Sequence, residues 1–314
     1  MLWWLMAFMA SSVDPTPIAT ADPAIMTERT GAARSIGRRA GLTIRRQGNL
    51  AVGASALPVL FLLLALAGCV ESLPPPPEPR PEIAWAKARV FLPSGLRGRM
   101  EDPAVQEELA GLRGQPVLVY LHGCAGLHAT ARWDGARYAR MGYVTILPDS
   151  LAQPGREANC RFNGATPEFG LFPRKYEFRR AEIDYAWTRL NKAAWADRRR
   201  LFLAGHSEGG AAVARYPARP GQWAGLIVTG WDCIGSLDSP TRLQADPAVP
   251  VLAINSRRDP LSRRPGRWCD TSGRPNSWTY RYDAPEHWYG KSRGWIDATA
   301  KFLSLNGGPA VPGS

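Results

Sequence analysis

Five short runs in this chain are apolar but for a single threonine, and each stops at a turn-forming residue. They are 117–121 (VLVYL), 143–147 (YVTIL), 201–204 (LFLA), 226–228 (LIV) and 251–254 (VLAI), followed by Gly, Pro, Asp or Asn within a few positions. A strand with one face in water alternates apolar and polar residues. A strand that is apolar throughout must be covered on both faces, as parallel strands are between two layers of helix. A sixth, aromatic-rich run (WTYRY, 278–282) closes the series. Helical patterns fall between the runs at 130–141, 176–191, 208–216 and 291–304. In the second of these Tyr176, Ile183, Trp187 and Leu190 recur at helical spacing, while Arg179, Arg180, Glu182 and Arg189 are expected on its other faces. The apolar stretch 84–92 is expected to be an antiparallel edge strand. Strand–helix alternation of this kind predicts one α/β domain over 84–305, with a mostly parallel, doubly wound sheet flanked by helices.

The chain has 314 residues, and the part before this body has a different character. Arg45 and Arg46 precede Leu57–Ala67, a stretch of apolar residues and one proline that ends in Gly68 and Cys69. A basic region, a short apolar core and small residues before a cut describe a secretory signal peptide, here 45–68. Leu66-Ala67-Gly68-Cys69 resembles the bacterial lipobox, which implies lipidation of Cys69 as the mature N-terminus. The proline-rich stretch that follows, within 69–83, reads as an extended tether. An uncleaved membrane helix from Ala51 is the competing reading, at the short end of what spans a bilayer. Residues 1–44 are expected to be an extension placed ahead of the true start, and 306–314 a disordered tail. The expected location is the bacterial cell envelope, lipid-anchored and facing the periplasm.

The motif with most chemical content is Gly205-His206-Ser207-Glu208-Gly209, a G-x-S-x-G that directly follows an apolar strand and precedes a small-residue helix. That context is the one a nucleophile elbow requires: a sharp strand-to-helix turn that lifts a serine hydroxyl above the sheet edge. A Ser/Gly turn without function is the alternative. A serine nucleophile needs a general base, and of the four histidines (122, 128, 206 and 287) only His287 lies downstream of Ser207. The acid that orients His287 has two candidates at strand ends, Asp259 after 251–254 and Asp232 after 226–228. Asp259 is preferred because of its place near the end of the strand series. Leu121-His122-Gly123-Cys124, after the 117–121 strand, is the expected oxyanion loop. The backbone N–H groups of Cys124 and Glu208 are the candidate donors, with His122 structural. The long Gly/Pro-rich stretch 155–175 is a candidate lid.

Taken in order, HGCAG, GYVTILPDS, the 179–190 helix, LAGHSEGG, the Asp259 strand and His287 resemble the dienelactone hydrolase-like branch of the α/β-hydrolase superfamily. The resemblance covers about 117–303. It implies an α/β-hydrolase domain that cleaves a carboxylic ester or lactone with no cofactor and no metal. Dienelactone hydrolase itself uses a cysteine nucleophile. Ser207 stands here instead, which implies a serine esterase, and Cys124 sits at the oxyanion position rather than the nucleophile's. A serine peptidase of the same fold and a non-catalytic envelope lipoprotein that uses the fold as a binding scaffold are the alternatives.

Five cysteines is an odd number. If Cys69 carries lipid, Cys124, Cys160, Cys233 and Cys269 remain, permitting two disulfides in an oxidising compartment. Three pairings are open, as are four free thiols. Neighbouring loops favour Cys124–Cys160 and Cys233–Cys269. The net charge of +12 comes from 39 Lys+Arg against 27 Asp+Glu, and only five of the 39 are lysine. That skew fits a GC-rich genome better than selection for phosphate binding, so nucleic acid is not expected as a partner. The expected partners are a small ester or lactone and, through the anchor, a membrane.

Overall fold

The alternation of apolar residues along each strand assigns them to two different cores. A computed structural model of the chain describes residues 77–158, 160–163, 166–169, 174–233, 243–261, 268–292 and 294–307. Its main sheet has eight strands: β1 (Arg89–Phe91), β2 (Arg97–Arg99), β3 (Gln115–Leu121), β4 (Val144–Leu147), β7 (Ala196–His206), β8 (Gly225–Thr229), β9 (Val251–Ser256) and β10 (Trp278–Tyr282). The spatial order is β10-β9-β8-β7-β3-β4-β1-β2. Strands β4, β3, β7, β8, β9 and β10 are mutually parallel, and β1 runs antiparallel to both β4 and β2. A separate antiparallel hairpin pairs β5 (Cys160–Asn163) with β6 (Thr166–Phe169).

On one face of the sheet Val117, Val119, Leu121, Leu201, Leu203, Leu226, Val228, Val251 and Ala253 pack against helices α1 (Pro81–Ala86), α2 (Pro103–Gly111), α4 (Lys175–Lys192) and α5 (Glu208–Arg215). The residues between them, Leu118, Tyr120, Phe202, Ala204, Ile227, Leu252 and Ile254, face the other way. They join Tyr138 of α3 (Ala129–Arg140) and Trp295, Phe302 and Leu303 of α6 (Gly294–Leu305). Apolar runs without polar alternation are thus explained by two-sided burial, and the result is a single α/β domain with the predicted sheet.

Several expectations need correction. The stretch 84–92 is not one strand: its first residues finish helix α1, and only Arg89–Phe91 is extended. Residues 81–83, expected in the proline-rich tether, are therefore helical. Proline is well suited to the first turn of a helix, where its missing N–H would have no partner, and Pro81 opens α1 in that role. The chain is already held to the body before that. The Arg174 guanidinium donates to the Pro77 carbonyl at 2.8 Å, and the Arg80 N–H donates to Gln153 Oε1 at 2.7 Å. Helix α2 follows Asp102 and also opens on a proline. The last helix starts at Gly294 rather than 291, behind a short 3-10 turn at Tyr289–Lys291. The extension 1–44, the signal peptide 45–68 and Cys69 lie outside the described residues, as does the tail beyond Gly307.

Candidate active site

The parallel strands all deliver their C-terminal ends to one edge of the sheet, the edge where open α/β sheets hold their ligands. Ser207 follows β7, His122 to Cys124 follow β3, Asp259 follows β9 and His287 follows β10.

Ser207 has φ 58° and ψ −116°, a left-handed backbone that a side-chain-bearing residue adopts only under constraint. The constraint is visible in the flanking glycines. A Cβ on Gly205 would lie 2.4 Å from the Gly209 carbonyl group, one on Gly209 2.1 Å from the Leu121 oxygen, and one on Gly210 2.5 Å from the Thr229 oxygen. Backbone crowds all three sites, so helix α5 seats against β3, β7 and β8 only where side chains are missing. The Ser207 N–H donates to the Thr229 oxygen at 2.9 Å, which ties the turn to the neighbouring strand. Gly123 of the β3 loop lies alongside, its Cβ position 3.5 Å from the Ser207 Cβ. Glu208 opens α5, so its N–H belongs to the first helical turn and has no acceptor within the helix.

His287 Nδ1 is 2.7 Å from Asp259 Oδ2, and the other Asp259 oxygen accepts the Leu261 N–H at 2.8 Å. A carboxylate can only accept, so Nδ1 donates to it, and Nε2 is the ring nitrogen left to act as a base. Nε2 is buried and has no hydrogen-bond partner among the described residues. Asp232, the competing acid, is buried beside Cys233 but is not the carboxylate on the imidazole. Gly230, with φ 60°, makes the close approach of two imidazoles possible. Its Cβ would fall 2.6 Å from His206 Cε1 and 3.1 Å from His287 Cε1, and the two rings sit 4.8 Å apart. Burial and the neighbouring His287 hold His206 well below the usual histidine range, so it stays neutral. The Thr229 hydroxyl donates to the Gly205 oxygen, so the remaining contact, at 3.1 Å, has His206 Nδ1–H donating to Thr229 Oγ1.

His122 has the structural part expected of it. Its Nε2 accepts the Ser150 N–H at 3.1 Å, so Nδ1 bears the proton and donates to the Gly123 oxygen at 2.7 Å. The Arg179 guanidinium nitrogen 3.1 Å from Nδ1 is then a close neighbour and not a hydrogen-bond partner; its bond goes to the His122 carbonyl at 2.8 Å. Burial, with that guanidinium beside it, keeps His122 neutral.

Behind this loop lies a charge network absent from the sequence-based expectation. Arg179 and Glu182, expected on the outer faces of their helix, have fully buried side chains. Arg179 bridges Glu182 at 3.2 Å and Glu208 at 3.0 Å, and Arg156 donates to the same Glu208 oxygen at 2.5 Å. Glu182 also accepts from the Ser150 hydroxyl and, at 2.6 Å, from the Gln153 amide. Two buried cations and two buried anions balance there, and removing one member would cost roughly 3–5 kcal/mol. The signal was present in the spacing. Arg179, Ile183, Ala186 and Leu190 fall at i, i+4, i+7 and i+11, one stripe of α4, and all four are buried.

The cysteines pair as the favoured connectivity has it, Cys124 with Cys160 (Cα–Cα 5.5 Å) and Cys233 with Cys269 (4.7 Å). The first bond fastens the β3 loop to the β5 strand, inside the stretch read as a lid.

The sheet order, the strained serine after β7 and the histidine–aspartate pair at the same edge all belong to one mostly parallel α/β domain flanked by helices. No protein-family model and no curated protein matches the chain. Among solved structures it is similar to a candidate dienelactone hydrolase from Klebsiella pneumoniae, at 19% identity over 60% of this chain and 87% of that one, TM-score 0.41. It is also similar to an α/β-hydrolase enzyme from a Medee basin deep-sea metagenome library, at 10% identity, 64% and 88% coverage, TM-score 0.45. A third is a hyperthermophilic esterase from the archaeon Pyrobaculum calidifontis, at 16% identity, 64% and 79% coverage, TM-score 0.39. The chemistry of the site rests on the residues of this chain.

Proposed function

We propose that the chain is a serine hydrolase of carboxylic esters or lactones, with Ser207 as nucleophile, His287 as general base and Asp259 as the acid that orients it. The observation that carries this reading is the combination of a serine held at φ 58° with an imidazole whose Nδ1 is bound to Asp259 and whose buried Nε2 is unpartnered. In the first half-reaction His287 Nε2 takes the Ser207 hydroxyl proton as Oγ bonds to the carbonyl carbon. The tetrahedral oxyanion is received by the N–H groups of Cys124 and Glu208, each worth about 3 kcal/mol to the transition state. His287 then returns the proton to the departing alkoxide, the C–O bond breaks, and an acyl-enzyme remains. Water, deprotonated by His287, releases the acid by the same path in reverse. No step calls on a further group.

The resemblance in the sequence supports an ester or lactone rather than a peptide, and the serine in place of a cysteine supports a serine esterase. The signal-like 45–68 and the lipobox at Cys69 support export and a lipid anchor in the bacterial envelope. The deciding experiment is reaction of the purified protein with a fluorophosphonate probe. Labelling is expected at Ser207 and is expected to vanish in Ser207→Ala; an unlabelled Ser207 in folded protein overturns the enzymatic reading.

A further inference from the structure

One ionisable group close to the base has no part in that mechanism. Asp134, on α3, is fully buried. Its Oδ2 accepts the Tyr120 hydroxyl of β3 at 2.7 Å, and both its oxygens face Trp288 Nε1, at 3.2 and 3.3 Å. Trp288 is the residue next to His287. Its indole also meets Trp133 of α3 edge-on, with centroids 4.7 Å apart. On its other side the His287 loop is held by Tyr289, fully buried against His206 (5.6 Å) and Trp295 (4.8 Å).

We propose that Asp134 is a positioning residue for the His287 base and acts through the Trp288 indole, so that the ionised carboxylate holds the base-bearing loop in its working place. This rests on His287 being the base. The donors on Asp134 decide which form binds better. Tyr120 O–H and Trp288 N–H both point at the carboxyl, and a carboxylate accepts from both, whereas the acid must turn one oxygen into a donor. Other titratable or charged groups face the carboxyl from each packed element: Tyr120 from β3, Arg137 and Tyr138 from α3, and Tyr289 from the His287 loop. Arg137, three residues along and nearly one turn on, favours the anion, while its guanidinium lies 3.1 Å over the Trp133 ring. Burial outweighs these contacts and pushes the carboxyl up to about 7. The position of the loop is therefore coupled to a proton that exchanges near neutrality.

The test compares wild type with Asp134→Asn and Trp288→Phe between pH 5.5 and 8.5. The readouts are p-nitrophenyl ester turnover and the rate of fluorophosphonate labelling. At pH 8.5 both variants are expected to lose about tenfold or more in kcat, as base misplacement does, with KM little changed. At pH 5.5, where wild-type Asp134 is itself protonated, the ratio of wild type to variant is expected to approach one. A ratio that is constant with pH, or no loss at all, overturns the proposal. The Trp288 indole N–H signal in wild-type NMR spectra decides the coupling without any catalysis. It is expected to shift with a midpoint near 7 and to be flat in Asp134→Asn; a flat wild-type signal overturns the proposal even if either variant fails to fold. Wild type that neither labels nor turns over, with the indole shift present, removes the catalytic reading and leaves the coupling.

Discussion

Ser207, His287 and Asp259 come from three separate loops, yet only one of the three depends on an unusual backbone. Ser207 is strained and boxed in by three backbone contacts. His287 and Asp259 are placed by ordinary hydrogen bonds, Asp259 through the Leu261 N–H and His287 through Asp259. An aspartate in this role fixes the imidazole tautomer and stabilises the imidazolium. Replacing Asp259 by Asn lets Nδ1 face a donor and inverts the tautomer. Steady-state kinetics are expected to show kcat reduced about 10⁴-fold with little change in KM. Asp232→Asn is expected to keep most of the activity; the opposite pattern would transfer the acid role to Asp232. The residues of the proposed triad could be picked out in the sequence because histidines are few and strand ends are easy to find. Asp134 was not legible: a single acid in a polar-looking helix shows its burial only when Tyr120 and Trp288 are brought against it.

At the scale of elements, strands without polar alternation were readable and elements held by their edges were not. Strand β2 has the sequence Arg-Gly-Arg and pairs only with β1, so no periodicity marks it. The β5–β6 hairpin is likewise short, and the main sheet does not include it. Helix α4 misled in a different way, since a buried ion network gives a stripe with charges in it. The hairpin matters because Cys160 fastens it to the expected oxyanion loop. Each disulfide closes a sequence separation of 36 residues. By loop entropy either bond contributes up to about 4 kcal/mol. Urea unfolding of Cys124→Ala/Cys160→Ala and of Cys233→Ala/Cys269→Ala is expected to show comparable losses. Ester turnover is expected to fall further in the first pair, because of the two disulfides it is Cys124–Cys160 that fastens the loop beside Ser207. Equal turnover in both would remove the hairpin from oxyanion-loop placement.

For the whole molecule, parallel β topology gathers the site. The five connections between successive parallel strands, three of them through helices among the described residues, leave every one pointing the same way, so residues as distant as 122, 207, 259 and 287 come to one edge. The two cores, one behind α1, α2, α4 and α5 and the other behind α3 and α6, cover the sheet on both faces. The body is already secured by Pro77 and Arg80, so a tether from Cys69 would be short, keeping the domain near a membrane surface. Intact-mass spectrometry of protein from bacterial membranes is expected to find a chain that begins at Cys69 and carries added acyl mass. A chain without that mass would remove the lipid anchor.

The glycine frame of the elbow also separates what this chain can vary from what it cannot. At 205, 209 and 210 any side chain meets backbone, and only a rearranged sheet would relieve it. At 207 the Cβ is already housed, and the atom beyond it projects from the turn. Exchanging that oxygen for sulfur would alter one atom and move no backbone. The reactivity of the site is thus open to evolutionary drift at a position where the architecture is indifferent, while the architecture itself is closed to drift all around it.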